Sequence, residues 1–92
     1  MARVELTRAF LEAAASLPAN VQRAIERKLR FLAQNPRHNS LRLERLQGRP
    51  DHWKMRVNDN YRILLRQEGS MEEQVFVAVD VGPHSIYGKW NR

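Results

Sequence analysis

Two runs of five and six residues, Trp-Lys-Met-Arg-Val at 53–57 and Tyr-Arg-Ile-Leu-Leu-Arg at 61–66, flank the triplet Asn58-Asp59-Asn60. Asn and Asp tolerate turn backbone and bond to it through their short side chains. The pattern therefore predicts a β-hairpin. Successive side chains of a strand point to opposite faces, so Trp53, Met55 and Val57 share one face and Lys54 and Arg56 the other. In the second run Tyr61, Ile63 and Leu65 share a face, with Arg62, Leu64 and Arg66 opposite. With 58–60 as the loop, Val57 meets Tyr61, Met55 meets Ile63 and Trp53 meets Leu65. A slip of one residue would set Met55 beside Arg62 and carry a charge into the core, which is costly.

The same register sets Arg56 directly across from Arg62, with Lys54 one position along that face. Like charges opposite one another cost a few tenths to about 1 kcal/mol. A bound anion reverses the sign, because guanidinium groups grip phosphate oxygens in a fork. The alternative is a solvated face on which the three cations splay apart.

Upstream of the hairpin the periodicity changes. Arg3-Val4-Glu5-Leu6 alternates and predicts a short first strand, and Thr7 predicts the N-cap of a helix that buries Phe10, Leu11 and Ala14. Leu17-Pro18 ends that helix and opens a second one, from about residue 18 to residue 34. Val21, Ala24, Ile25, Leu29 and Leu32 form its apolar stripe, with Arg23, Arg27, Lys28 and Arg30 largely off it. Asn35-Pro36 stops it, and the two helices form an antiparallel hairpin. Leu41-Arg42-Leu43-Glu44 alternates as a further strand. A polar loop around Gly69-Ser70 follows the central hairpin, and Val75, Val77, Val79 and Val81 mark the last strand. Residues 82–92 read as an irregular tail with a short helical turn. The expectation is one α+β domain over residues 1–92: an N-terminal strand and an antiparallel helical hairpin packed on one face of an antiparallel sheet.

The 92 residues carry a net charge of +6 and no cysteine. The charge calls for a polyanionic partner or serves solubility alone. Lack of cysteine excludes a disulfide scaffold, a Cys-ligated zinc site and thiol catalysis, and fits a reducing compartment. Met1 leads directly into the first strand, and no run has the length of a signal segment or a membrane span. A soluble, cytoplasmic protein without membrane association is expected.

The stretch 53–64, Trp-Lys-Met-Arg-Val-Asn-Asp-Asn-Tyr-Arg-Ile-Leu, with 79–87, Val-Asp-Val-Gly-Pro-His-Ser-Ile-Tyr, resembles the RelE/ParE superfamily of bacterial toxins from toxin–antitoxin pairs. The element order looks like that family's fold over nearly the whole chain. The resemblance implies one of two activities: RelE-like cleavage of messenger RNA, usually on the ribosome, or ParE-like inhibition of gyrase. A third alternative is a non-toxic RNA-binding module on the same scaffold. It implies a cognate antitoxin as partner, and neither cofactor nor metal.

In the nuclease reading, Lys54 and Arg56 correspond to the basic pair of the central strand and Arg62 to the arginine holding the scissile phosphate. His84 falls where many members have an arginine and some a histidine that acts as general acid, and Tyr87 corresponds to the C-terminal active-site tyrosine. Arg66 extends the RNA-binding face. Pro83 departs from the basic or small residue that many members carry and threatens to misplace His84. Each tail residue also has a purely structural alternative: His84 as a loop residue, Tyr87 and Trp90 as packing against the sheet. Lys54 either adds to the phosphate clamp or acts as the base, Glu44 is a candidate carboxylate base with nothing to place it beside Arg62, and His38 and His52 read as isolated surface residues.

Overall fold

The computed structural model describes residues 2–70 and 72–90. Met1 and the last two residues of the predicted tail, Asn91 and Arg92, lie outside the described residues. The chain begins with β1 (Arg3–Leu6), followed by α1 (Arg8–Ala15) and α2 (Ala19–Gln34). A 3₁₀ turn at Asn39–Leu41 leads into β2 (Glu44–Leu46), β3 (Arg49–Arg56), β4 (Tyr61–Gly69) and β5 (Gln74–Pro83). A second 3₁₀ turn, His84–Ile86, runs into α3 (Tyr87–Trp90).

The five strands form one sheet in the order β1-β5-β4-β3-β2. The sheet is mixed rather than wholly antiparallel, because β1 lies parallel to β5 on the edge. A parallel partner needs a long crossover, and everything between the two strands supplies it. Thr7 fastens that edge: its hydroxyl donates to the carbonyl of Ala78 (2.9 Å) while accepting from the N–H of Phe10 (3.1 Å), the predicted N-cap bond.

Both helices cover the same face of the sheet. Phe10, Val21, Ile25 and Leu32 pack with Met55, Val57, Ile63 and Leu65, the apolar side of the predicted hairpin. Each such side chain removed from water contributes roughly 1.5–3 kcal/mol. Leu11 does not join them and is 51% exposed. In so short a helix Phe10, Ala13 and Ala14 hold the inward side, and Leu11 stands about 100° round from Phe10.

The opposite face carries a smaller cluster. Leu46, Leu64 and Trp90 are buried there, with Val79, Ile86 and Tyr87 packed against them. The alternate valines of β5 accordingly do not share a face: Val81 belongs to the helix-covered core and Val79 to the second cluster. The cause is a bulge. Ile63 pairs with Val81 and Leu64 with Asp80, but Leu65 pairs with Ala78, so one extra residue of β5 reverses its alternation.

The strand predicted at residues 41–44 is not one. Leu41 closes the 3₁₀ turn as a wholly buried plug, and Arg42 takes a left-handed backbone (φ 46°), which ends any extended run. Extended structure starts at Glu44 and returns through Gln47-Gly48, where Gly48 supplies φ 80°.

Candidate active site

The β3–β4 ladder has the predicted register: Trp53 opposite Leu65, Met55 opposite Ile63 and Arg56 opposite Arg62. The N–H of Val57 donates to the carbonyl of Tyr61 (3.0 Å) and closes the loop. Lys54, Arg56 and Arg62 consequently emerge on the face away from the helices. There they line a concavity of about 230 Å³ together with Arg42, Glu44, His84 and Tyr87.

Three separate stretches build this hollow. The hairpin supplies Lys54, Arg56 and Arg62. The edge strand β2 supplies its first residue, Glu44, and the segment before it supplies Arg42. The tail supplies His84 and Tyr87, held over the sheet by two devices. Asp80 accepts from the indole N–H of Trp90 (3.0 Å) and from Lys89 Nζ (3.4 Å), and the N–H of His84 donates to the carbonyl of Asn60 (2.7 Å). Pro83 does not displace His84. It closes β5 opposite Tyr61 with φ −65° and precedes the 3₁₀ turn, a position where a missing N–H costs little. Gly82 allows that turn to fold back, since a Cβ there would come within 2.5 Å of Ile86 Cδ1.

Lys54 is held from two sides. Its Nζ lies 3.4 Å from Glu44 Oε2 and 4.4 Å from the centre of the Tyr87 ring. The Tyr87 ring in turn lies 4.7 Å from the His84 imidazole and 5.7 Å from the Trp90 ring. Tyr87 thus packs the tail and faces the hollow at once, so its two readings are compatible. Arg56 bonds the carboxylate of Asp59 in the hairpin loop. Arg62 donates to the carbonyls of Asn58 (2.5 Å) and Tyr61 (3.0 Å).

Arg66 sits elsewhere. It pairs with His52, four residues along the ladder from Arg62 or roughly 13 Å, and forms an ion pair with Glu68 (3.6 Å). His52 is more enclosed than a surface residue, with its side chain 17% exposed and Nδ1 2.9 Å from Asp51. That contact holds the Asp51 carboxyl below the usual carboxylate range. His38 is exposed, but it stacks on Phe31 (4.8 Å) and its Nδ1 accepts from the N–H of Ser40 (3.2 Å), so it caps the 3₁₀ turn.

Arg42 is the lining residue that sequence reasoning left out of the site, and Glu44 is the candidate base that it had no means to place there. The Gln47-Gly48 turn would signal a hairpin, yet a regular ladder continued from it sets Glu44 opposite Asp51. Pro50, which lacks an N–H to give to a ladder, opens a bulge instead, and Glu44 pairs with Lys54.

No protein-family model matches the chain, and no curated protein matches its sequence. Solved structures do match. A YoeB/ParE toxin from Agrobacterium tumefaciens superposes with a TM-score of 0.71 at 20% identity, over 89% of this chain and 98% of that one. The archaeal RelE–RelB complex from Pyrococcus horikoshii gives 0.70 at 21% identity, over 89% and 93%. The intact RelBE toxin–antitoxin complex of E. coli gives 0.66 at 22% identity, over 89% and 95%. The chain has the fold of these toxins.

Proposed function

We propose that this chain is the toxin of a toxin–antitoxin pair and cleaves messenger RNA in the cytoplasm, on translating ribosomes, without a metal ion. One observation carries the reading: Lys54, Arg56, Arg62, His84 and Tyr87, drawn from the hairpin and the tail, line a single concavity. The fold likeness to RelE-type toxins supports it. A gyrase-inhibiting role on this fold does not need His84 or Tyr87, so their convergence on the cations favours the nuclease.

Cleavage by the neighbouring 2′-hydroxyl needs a base, positive charge around the pentacoordinate phosphorus and an acid for the departing 5′-oxygen. Arg56 and Arg62 clamp the phosphate, and Lys54 adds charge to the clamp. Glu44, the one carboxylate among the described residues lining the hollow, takes the 2′-hydroxyl proton. His84 protonates the 5′-oxygen, as an imidazole can near neutral pH. Tyr87 stacks on a base beside the scissile bond. The products are a 2′,3′-cyclic phosphate and a 5′-hydroxyl. The antitoxin presents acidic side chains to the same basic surface.

Induction of the chain in bacteria with transcript-end mapping tests this. Cuts in messenger RNA are expected, and Arg62→Ala should abolish them while circular dichroism stays native. Undiminished cleavage by that variant overturns the assignment, and gyrase-linked DNA damage without cuts would replace it.

A further inference from the structure

A second, larger concavity of about 660 Å³ opens on the helix side of the sheet, beyond the end of α2. Trp53 and Phe76 of the sheet's inner face lie in its lining, with residues 35–39 that follow α2. Its size is that of a small-molecule or nucleotide site, but its lining is cationic. Arg37, Arg42, Arg45 and His38 border it, and no carboxylate does among the described residues.

The centre of the hollow is layered. The Trp53 indole is fixed by its N–H, which donates to Gln67 Oε1 (2.8 Å). The Arg45 guanidinium lies 4.9 Å above that ring and also donates to the carbonyl of Pro50 (3.3 Å). Arg45 is exposed on its outer side. A guanidinium plane held in this way is a platform for a base, and the amides of Gln67 and Gln74 offer donors and acceptors to a base edge.

Arg42 joins the two hollows. It lines both concavities, from the segment that precedes the edge strand β2. Among the described residues neither Arg42 nor Arg37 has a side-chain hydrogen bond or ion pair. A polyanion leaving the first hollow therefore meets an unpartnered arginine at the sheet edge, then a second cationic hollow with a stacking platform.

We infer that the second concavity binds a further nucleotide of the same single-stranded RNA, with the strand wrapping round the β2 edge over Arg42 and one base stacking on Arg45. This rests on the ribonuclease reading above and adds to it a substrate subsite away from the scissile bond.

The test uses 2′-O-methyl RNA, in which the attacking hydroxyl is blocked, as a trinucleotide and as an octanucleotide. Binding is followed by NMR of backbone amides and the Trp53 indole N–H. The trinucleotide should shift Arg56, Arg62 and His84 alone, and the octanucleotide should also shift the Trp53 indole. The double variant Arg37→Ala/Arg45→Ala, verified as folded by its amide spectrum, should lose about tenfold for the octanucleotide and less than twofold for the trinucleotide. Its salt slope should fall by roughly 0.7 for each phosphate that is no longer neutralised. Equal losses for both lengths, or no length dependence in the parent chain, would overturn the second subsite and leave the first intact. Failure of both RNAs to bind would overturn the ribonuclease reading with it. Unchanged RNA affinity with lost binding of polyglutamate would assign the groove to an acidic polypeptide instead.

Discussion

Arg56 stands directly opposite Arg62 in the β3–β4 ladder, yet the two guanidinium groups are satisfied separately by the loop between them: Arg56 by the carboxylate of Asp59, Arg62 by the carbonyls of Asn58 and Tyr61. The like-charge conflict that the register imposes is thus eased by the turn itself. Asp59 occupies the cation that a phosphate would take.

Removing that internal competitor should tighten RNA binding. Asp59 is 84% exposed, and exposed ion pairs are worth about 0.2–1 kcal/mol. Asp59→Asn is expected to raise affinity for non-cleavable RNA by up to about fivefold, with stability almost unchanged. Glu12→Gln on α1 removes the same charge away from the site and controls for net charge. Equal effects of the two variants in an anisotropy titration would mean that Asp59 does not gate Arg56.

Gly82 controls the placement of His84 by its bareness. A methyl group there would meet Ile86 Cδ1 at 2.5 Å, so either the Ile86 side chain or the 3₁₀ turn that carries it and His84 must shift. Gly82→Ala should cost about 1–3 kcal/mol in urea unfolding and lower cleavage at least tenfold. Because the obstacle is the end of a flexible side chain, the double variant Gly82→Ala/Ile86→Ala should recover much of the activity. A double variant as inactive as the single one would show that Gly82 acts through something other than this contact.

Lys28 reports on the electrostatics of the helix-covered side. Partial burial, with Arg27 and Arg56 nearby, lowers its pKa from the ordinary 10.5. Between the lowered folded value and 10.5 the unfolded chain holds the proton more firmly than the folded one. Stability from this group therefore rises with pH through that window. Lys28→Met removes the titration, along with the bond to the carbonyl of Ser40 (3.0 Å). Urea unfolding from pH 7 to 10.5 should show the parent chain gaining on the variant as pH rises. A constant difference would contradict the shift.

The hairpin was legible in the sequence because burial leaves little freedom: a slip of one residue drives an arginine into the core. The helices were legible for the same reason, through Val21, Ile25 and Leu32. What escaped were irregularities that no alternation encodes. The bulge at Leu64/Leu65 divides the valines of β5 between two faces. The left-handed Arg42 ends an apparent strand. The bulge between Arg45 and Leu46 brings Glu44 to Lys54. The two bulges shift pairings, and Arg42 itself lines the concavity. Local spacing therefore described the walls of the site well and its edge poorly. Neither Arg42 nor the larger hollow it opens into could be read from a pattern that made residues 41–44 a strand.

Asp80 is the residue on which the tail depends. One carboxylate oxygen accepts from the Trp90 indole and from Lys89, while the other accepts from the N–H of Val81. Trp90 is 3% exposed, and its cluster with Leu46 and Leu64 holds Tyr87 beside Lys54. Asp80→Ala leaves the indole N–H without its partner, at a cost of about 1–3 kcal/mol. Paid locally, that is enough to release the tail without unfolding the sheet, because the helix-covered core does not include Trp90. The variant should retain RNA affinity within about threefold, since Arg56 and Arg62 stay on the hairpin, and lose cleavage by roughly 10²–10⁴, the range for a mislaid general acid. Asp80→Asn keeps an acceptor for the indole and should lie between the two. Affinity and cleavage falling together in Asp80→Ala would mean that the tail shapes the phosphate clamp itself, and would count against separate roles for hairpin and tail.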